Sequence, residues 1–324
     1  MIASRRSVLR SIGAAALGAA FAPRAAIAAE GRLSIVATTG MIADTARAIG
    51  GELVEVKALM GPGVDPHAYR QTRTDILAMR RADLILWNGL YLEAQMEEVL
   101  GDLSGLVPVR AVAETIPAEQ RIAHDDYADR FDPHVWMDPA LWREVAFAIR
   151  DAMSETAPHD AAAFTANAEA YTAELDVLAS YANDVLGSVP EERRVLLTAH
   201  DAFNYFGRAY GYEVIGIQGI STESEAGLNR ITELVNLLVD RGIAAVFVES
   251  SVSDRSIRAL IEGAAAEGHE VRIGGELYSD AMGSPGTYEG TYVGMIDHNA
   301  TVIATALGGE APERGMTGKL SAGS

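Results

Sequence analysis

The chain has 324 residues, of which 49% are hydrophobic, with no cysteine and a formal net charge of −19 at pH 7. That length allows two ordinary domains with real cores, and that apolar content excludes general disorder. Without cysteine there is no disulfide, thiolate metal site, cysteine nucleophile or acceptor for a bacterial lipid anchor, and so acidic a surface repels nucleic acid and anionic membrane while concentrating cations.

Residues 1–28 read as a secretory signal. Arg5 and Arg6 precede Val8 and Leu9, an apolar run follows from Ile12 to Ala22, and Ala26, Ile27 and Ala28 supply a small-residue cleavage site. The paired arginines of SRRSVL point to the twin-arginine route. The apolar run is too short to span a bilayer, so the expected product is an exported protein, periplasmic and without a lipid anchor.

From residue 29 to 159 the chain alternates strand-like and helix-like segments. RLSIVATT, LVEVKALM, DLILWNG and VPVRAV read as strands, and MIADTARAIGG, TRTDILAMRRA and LEAQMEEVL as helices. Residues 189–310 repeat the rhythm with RRVLLTAH, EVIGIQG, AAVFVES and EVRIGG, ending in a helix from about Tyr292 to Leu307. This β-then-α order predicts an α/β fold of two lobes with mostly parallel sheets. Between them, residues 160–188 form a connector in which 160–186 hold no glycine or proline. Such a stretch predicts one long rigid helix of about 40 Å that restrains the lobes from hinging widely. Its apolar positions Phe164, Tyr171, Leu175 and Leu178 recur at helical spacing and are expected to face protein. Residues 311–324, EAPERGMTGKLSAGS with its preceding Glu310, read as a flexible tail.

Two loops share the tripeptide Asp-Pro-His, in GPGVDPHAY (Asp65, Pro66, His67) and FDPHVWMDP (Asp132, Pro133, His134). Proline fixes its own φ and holds the preceding Asp extended, so each histidine leaves a stiffened loop. His67 follows a strand, His134 follows another after a longer loop, and His200 ends RVLLTAH. In open α/β sheets ligands collect beyond the carboxyl ends of strands, so these three are expected to converge on the cleft between the lobes. The loop ELYSDAMGSPGTY adds Asp280, although an Asp in such a loop is more often a turn-former. Three imidazoles and a carboxylate make a closed ligand set for a borderline divalent metal. His124, His159, His269 and His298 read as surface or packing residues.

Taken together and in order, GPGVDPHAY, FDPHVWMDP, LLTAHDAFNYFGRAYG, QGISTESEAG, FVESSV and ELYSDAMG resemble the metal-binding subgroup of solute-binding proteins that serve ABC transporters. The resemblance implies two α/β lobes joined by one long helix, ligation by His67, His134, His200 and Asp280, and delivery of the ion to a membrane permease. The expected state is a monomer, and the acidic surface argues against a nucleic-acid partner. The cargo is one divalent ion, Zn2+ or Mn2+. Zinc is favoured by the three imidazoles, although the chain lacks the His-rich insertion of many zinc-dedicated members. Behind the ligands, Asp65, Asp132 and Asp201 are candidates to hold the second ring nitrogens. Tyr69, Trp136 and Phe203 either wall the site or fill the core. Glu249 either backs a ligand or caps a helix, and is left out of the ligand set. Two other functions compete. An exported metallohydrolase would need an open metal position, which four protein ligands deny, and no Gly-x-Ser-x-Gly elbow accompanies them. A metal buffer or adhesin of the same fold would share the site, since fold alone does not settle function.

Overall fold

Four parallel strands, β1 (Leu33–Ala37), β2 (Val54–Ala58), β3 (Leu84–Trp87) and β4 (Val109–Ala111), build the first sheet in the order β2-β1-β3-β4. The computed structural model describes residues 31–124 and 130–321, so the expected signal at 1–28 lies outside the described residues. The central strands LSIVA and LILW are almost wholly buried, whereas VEVKA at the edge alternates buried and exposed positions. Continuous apolar runs occupy the centre of a parallel sheet because helices cover both of its faces.

Those helices are α1 (Gly40–Gly50), α2 (Arg73–Met79), α3 (Glu97–Leu103) and α4 (Pro139–Thr156). Thr72 and Asp75 form a reciprocal capping box at α2. At α4, Asp138 accepts the Ala140 N–H and Pro139 occupies the first helical position. The second Asp-Pro of FDPHVWMDP is therefore a helix start, set four residues after the histidine that the first one mounts.

Helix α5 (Ala161–Gly187) runs unbroken for 27 residues. The second lobe follows, with β5 (Val195–Thr198), β6 (Glu213–Gly216), β7 (Ala245–Glu249) and β8 (Arg272–Leu277). They pair in parallel as β5-β6 and β7-β8, and β5 lies against β7. Helices α6 (Asn204–Tyr210), α7 (Leu228–Arg241), α8 (Arg255–Ala266) and α9 (Tyr292–Leu307) complete the strands and α-helices of the described residues.

The lobes share one core. A single apolar cluster runs from Leu33 of β1 to Leu307 of α9, with Phe164, Leu175 and Leu178 of α5 fully buried within it. Helix α5 packs on α1 and α4 from one lobe and on α9 from the other. Polar contacts follow the same pattern. The Tyr171 and Thr45 hydroxyls lie 3.2 Å apart, the Tyr181 and Thr301 hydroxyls 3.1 Å apart, and Asn167 Nδ2 donates to Ile49 O at 2.8 Å. The connector is thus an internal spine rather than a tether.

The tail reading needs correction for residues 311–321. The Met316 N–H reaches both oxygens of Asp297 at 3.0 and 2.9 Å, and Arg314 Nε donates to Leu320 O at 3.0 Å. Leu320 is fully buried, and the Ser321 N–H donates to Glu289 Oε1 at 2.6 Å. The local composition suggests a free end, but buried carboxylates on and before α9 need donors and the tail supplies them.

Because both lobes lean on one spine, Leu175→Ala is expected to cost about 2–5 kcal/mol by leaving a cavity in the shared core. Urea unfolding followed by tryptophan fluorescence and by circular dichroism should give coincident transitions at lower urea than wild type. Two separated transitions would show that the lobes unfold independently.

Candidate functional site

The two Asp-Pro-His loops adopt the same local device. Asp65 Oδ1 accepts the His67 N–H at 2.8 Å, and Asp132 Oδ1 accepts the His134 N–H at 2.9 Å. Each aspartate thereby closes a side-chain turn onto the backbone two residues on, which proline reinforces by stiffening the residue between. Asp132 does more, since its Oδ1 also lies 2.7 Å from His134 Nδ1. Asp65 instead accepts the Thr222 hydroxyl on its second oxygen at 2.5 Å, tying the His67 loop to the second lobe.

His200 follows β5 and is oriented by Glu249, the last residue of β7. Glu249 Oε1 accepts the His200 N–H at 2.8 Å, and Oε2 lies 2.6 Å from His200 Nδ1. Asp280 follows β8 in a loop pinned by Trp136, whose Nε1 donates to Ser279 O at 2.8 Å, and by the Ser251 and Ser279 hydroxyls 2.9 Å apart. Beside Asp280, a cavity of about 530 Å³ opens between Asp44, Met60 and Met282.

The structure brings His67, His134, His200 and Asp280 together. One ligand atom from each lies within 4.8 Å of all the others, and none of the four residues is more than 3% exposed. His67 Nε2 is 3.2 Å from His134 Nε2, His134 Nε2 is 3.5 Å from Asp280 Oδ1, and His200 Nε2 is 3.1 Å from Asp280 Oδ2. Ligands about 2.0–2.1 Å from a tetrahedral zinc stand about 3.3–3.4 Å apart, and these three edges bracket that value. His200 Nε2 and both Asp280 oxygens are buried and have no hydrogen-bond partner outside the four-residue group. Orphaned buried polar atoms are costly, and a cation among them would satisfy all three.

The charges are set by burial and by one another. Burial pushes the His67 imidazole down to about 3. Burial also acts to lower His200, but the Glu249 and Asp280 carboxylates on its two nitrogens outweigh it and hold His200 well above the ordinary imidazole range. Burial acts to raise Asp280, yet His200, His134 and His67 together hold its carboxyl well below the usual carboxylate range. With no ion between them, the two carboxylates therefore favour the protonated form of His200.

Other residues separate cleanly. His124, His159, His269 and His298 stand outside the group. His269 and His298 bond the carbonyls of Ile243 and Glu276 at 2.8 and 2.9 Å. Trp136 walls the site, its ring 5.2 Å from that of His134. Tyr69 turns to Asp75 at the start of α2, and Phe203 lies in the shared core against Phe206. Asp201 does not hold His200; Glu249 does. The sequence signal for Glu249 was a lone charge ending the buried strand AAVFVES.

Comparisons with known proteins place these features in a family. Residues 35–306 match the ZnuA family, described as the periplasmic component A of a zinc-uptake complex. Over 280 residues the chain is 48% identical to the zinc-binding protein TroA of Treponema pallidum, covering 86% of this chain and 90% of that one. It is also 48% identical over 279 residues to the manganese-binding lipoprotein MntA of Bacillus subtilis, covering 86% and 91%. The solved structure of the periplasmic zinc-binding TroA superposes with a TM-score of 0.83, covering 86% of this chain and 99% of that chain.

A metal ion bound by His200 would compete with the proton that the flanking carboxylates favour there. Affinity should therefore rise with pH while His200 is protonated, level off above its raised pKa, and fall as the solution is acidified. At pH 7 the expected release is about one proton per ion, read by titration calorimetry in buffers of different ionisation enthalpy. Uptake without proton release would mean that His200 is already neutral, and would overturn this account of the site's charge.

Proposed function

The chain belongs to the ZnuA family of periplasmic zinc-uptake components, and from that premise we propose that His67, His134, His200 and Asp280 capture one divalent transition-metal ion for delivery to an ABC permease. As an uptake component it is a transport protein rather than an enzyme, and it works with a membrane permease. The observation that supports the ligand assignment is the buried convergence of four ligand atoms, one from each residue, with His200 Nε2 and the Asp280 oxygens lacking any partner outside the group. Capture proceeds as the acidic surface concentrates cations. The imidazoles and carboxylate then replace the ion's waters while Asp132 and Glu249 keep His134 and His200 aimed.

Zinc is the favoured cargo and manganese the second. The relatives do not choose between them, since TroA is named for zinc and MntA for manganese at the same identity of 48%. The donor set supports zinc, because three imidazoles and one carboxylate suit it better than the harder manganese, and zinc binds more tightly at nearly any such site. The protein is proposed to act as a monomer with no nucleic-acid partner, its surface charge opposing the latter.

Metal content by mass spectrometry tests the ligand set, on wild type and His200→Ala, after chelation and reloading from equimolar zinc and manganese. We expect about one zinc per wild-type chain and loss of it in the variant. Stoichiometric manganese would move the reading to a manganese carrier, and no metal in either protein would overturn it.

Location is a second point of difference. The MntA relative is named a lipoprotein, whereas this sequence has no cysteine to accept a lipid. Our reading is export by the twin-arginine route into the periplasm without an anchor. Osmotic shock should release the protein with soluble periplasmic markers, and Arg5→Lys with Arg6→Lys should keep it in the cytoplasm. Detergent-dependent release would contradict the unanchored reading, and unaffected export of the double variant would contradict the route.

A further inference from the structure

The segment after β3, Asn88-Gly89-Leu90-Tyr91, holds a backbone conformation that its residues do not favour. Gly89, Leu90 and Tyr91 have φ of 78°, 54° and 70°. Glycine adopts this left-handed region freely, but leucine and tyrosine do so only against steric resistance. Such strain persists where surrounding contacts over-determine it, and it gathers where a chain must position something.

The contacts are buried and polar. Glu93 is fully buried; its Oε1 accepts the Asn88 N–H at 2.8 Å and the Thr38 hydroxyl at 2.6 Å, and its Oε2 accepts the Gly89 N–H at 3.2 Å. The Leu90 N–H reaches Glu114 Oε1 at 3.3 Å. Held this way, Asn88 is 1% exposed, and its Nδ2 donates to Gly89 O and to Pro133 O, both at 3.1 Å. Pro133 O also accepts the Val135 N–H at 2.8 Å, closing a turn over His134, whose φ of −80° and ψ of 43° lie near an inverse γ-turn. The carbonyl that closes the turn around a proposed metal ligand is thus gripped from another loop.

We infer that Asn88, locked by Glu93 and the strained turn, is a positioning residue for His134. Asp132 fixes the imidazole at Nδ1, but a ring held at one nitrogen can still pivot with its backbone. Asn88 removes that freedom by fixing the turn from which the side chain departs. The inference rests on the reading of the four residues as a metal site.

Its test uses the full chain and two substitutions, with zinc affinity measured by competition with a chromophoric chelator and geometry read from the cobalt(II) absorption bands. Asn88→Ala and Asn88→Leu should each bind zinc about tenfold to a hundredfold more weakly and shift the cobalt bands. Leucine fills the asparagine volume but donates nothing, so a purely packing role predicts wild-type behaviour for Asn88→Leu, and that result overturns the inference. Asp297→Asn, whose carboxylate bonds Tyr288, Thr301 and Met316 and none of the four ligands, should lower the melting temperature while leaving zinc affinity and cobalt bands unchanged. If both Asn88 variants fail to fold, NMR of the wild type decides: the Asn88 side-chain amide protons should exchange slowly with solvent, and rapid exchange overturns the inference. A wild type that binds no zinc or cobalt removes the metal-site reading itself, whereas normal wild-type binding with normal Asn88→Leu binding removes only the role of Asn88.

Discussion

Four buried polar side chains must be held a few ångströms apart by two different lobes, and the rest of the architecture answers to that constraint. His67 and His134 come from the first lobe, His200 and Asp280 from the second, and all are buried. A hinge that opened freely would expose them to water and lose their geometry between encounters with an ion. The shared core and the 27-residue spine hold the lobes at one separation, and Asp65 with Thr222 closes the cleft above His67. Preorganisation of this kind is what lets a site bind without reordering itself at each event.

The electrostatics follow from the same desolvation. Asp132 and Glu249 stand behind His134 and His200, and Asp280 stands before them. Glu249 raises the basicity of His200, Asp132 holds the His134 ring, and Asp280 faces the space between the imidazoles, so a cation there would offset the buried carboxylates. A proton on His200 would relieve part of that charge and a divalent ion more.

Much of this was legible in the sequence because it is encoded locally. Strand and helix periodicity gave the α/β rhythm, the glycine-free stretch gave the long helix, and proline beside histidine marked two mounts whose turns the structure shows in detail. The failures share one cause. Glu249 acts on a histidine 49 positions away, Asn88 grips a carbonyl 45 positions away, and the tail finds its partner on α9. Such contacts depend on how elements pack, and no window of composition contains them. Asp201 shows the converse, since adjacency to His200 suggested a contact that the turn after β5 directs elsewhere.

The choice of metal lies at a different level from the fold. Two relatives equally similar to this chain are named for different ions, so the scaffold they share is compatible with both. Intrinsic affinity at an imidazole-rich site favours zinc over manganese whatever the protein's task. A manganese carrier on this scaffold would have to oppose that order by coordination geometry or by meeting manganese where zinc is scarce. The turn around His134, gripped by Asn88 and the strained Leu90–Tyr91 segment, is where the geometry of the proposed site could be altered without changing a single ligand.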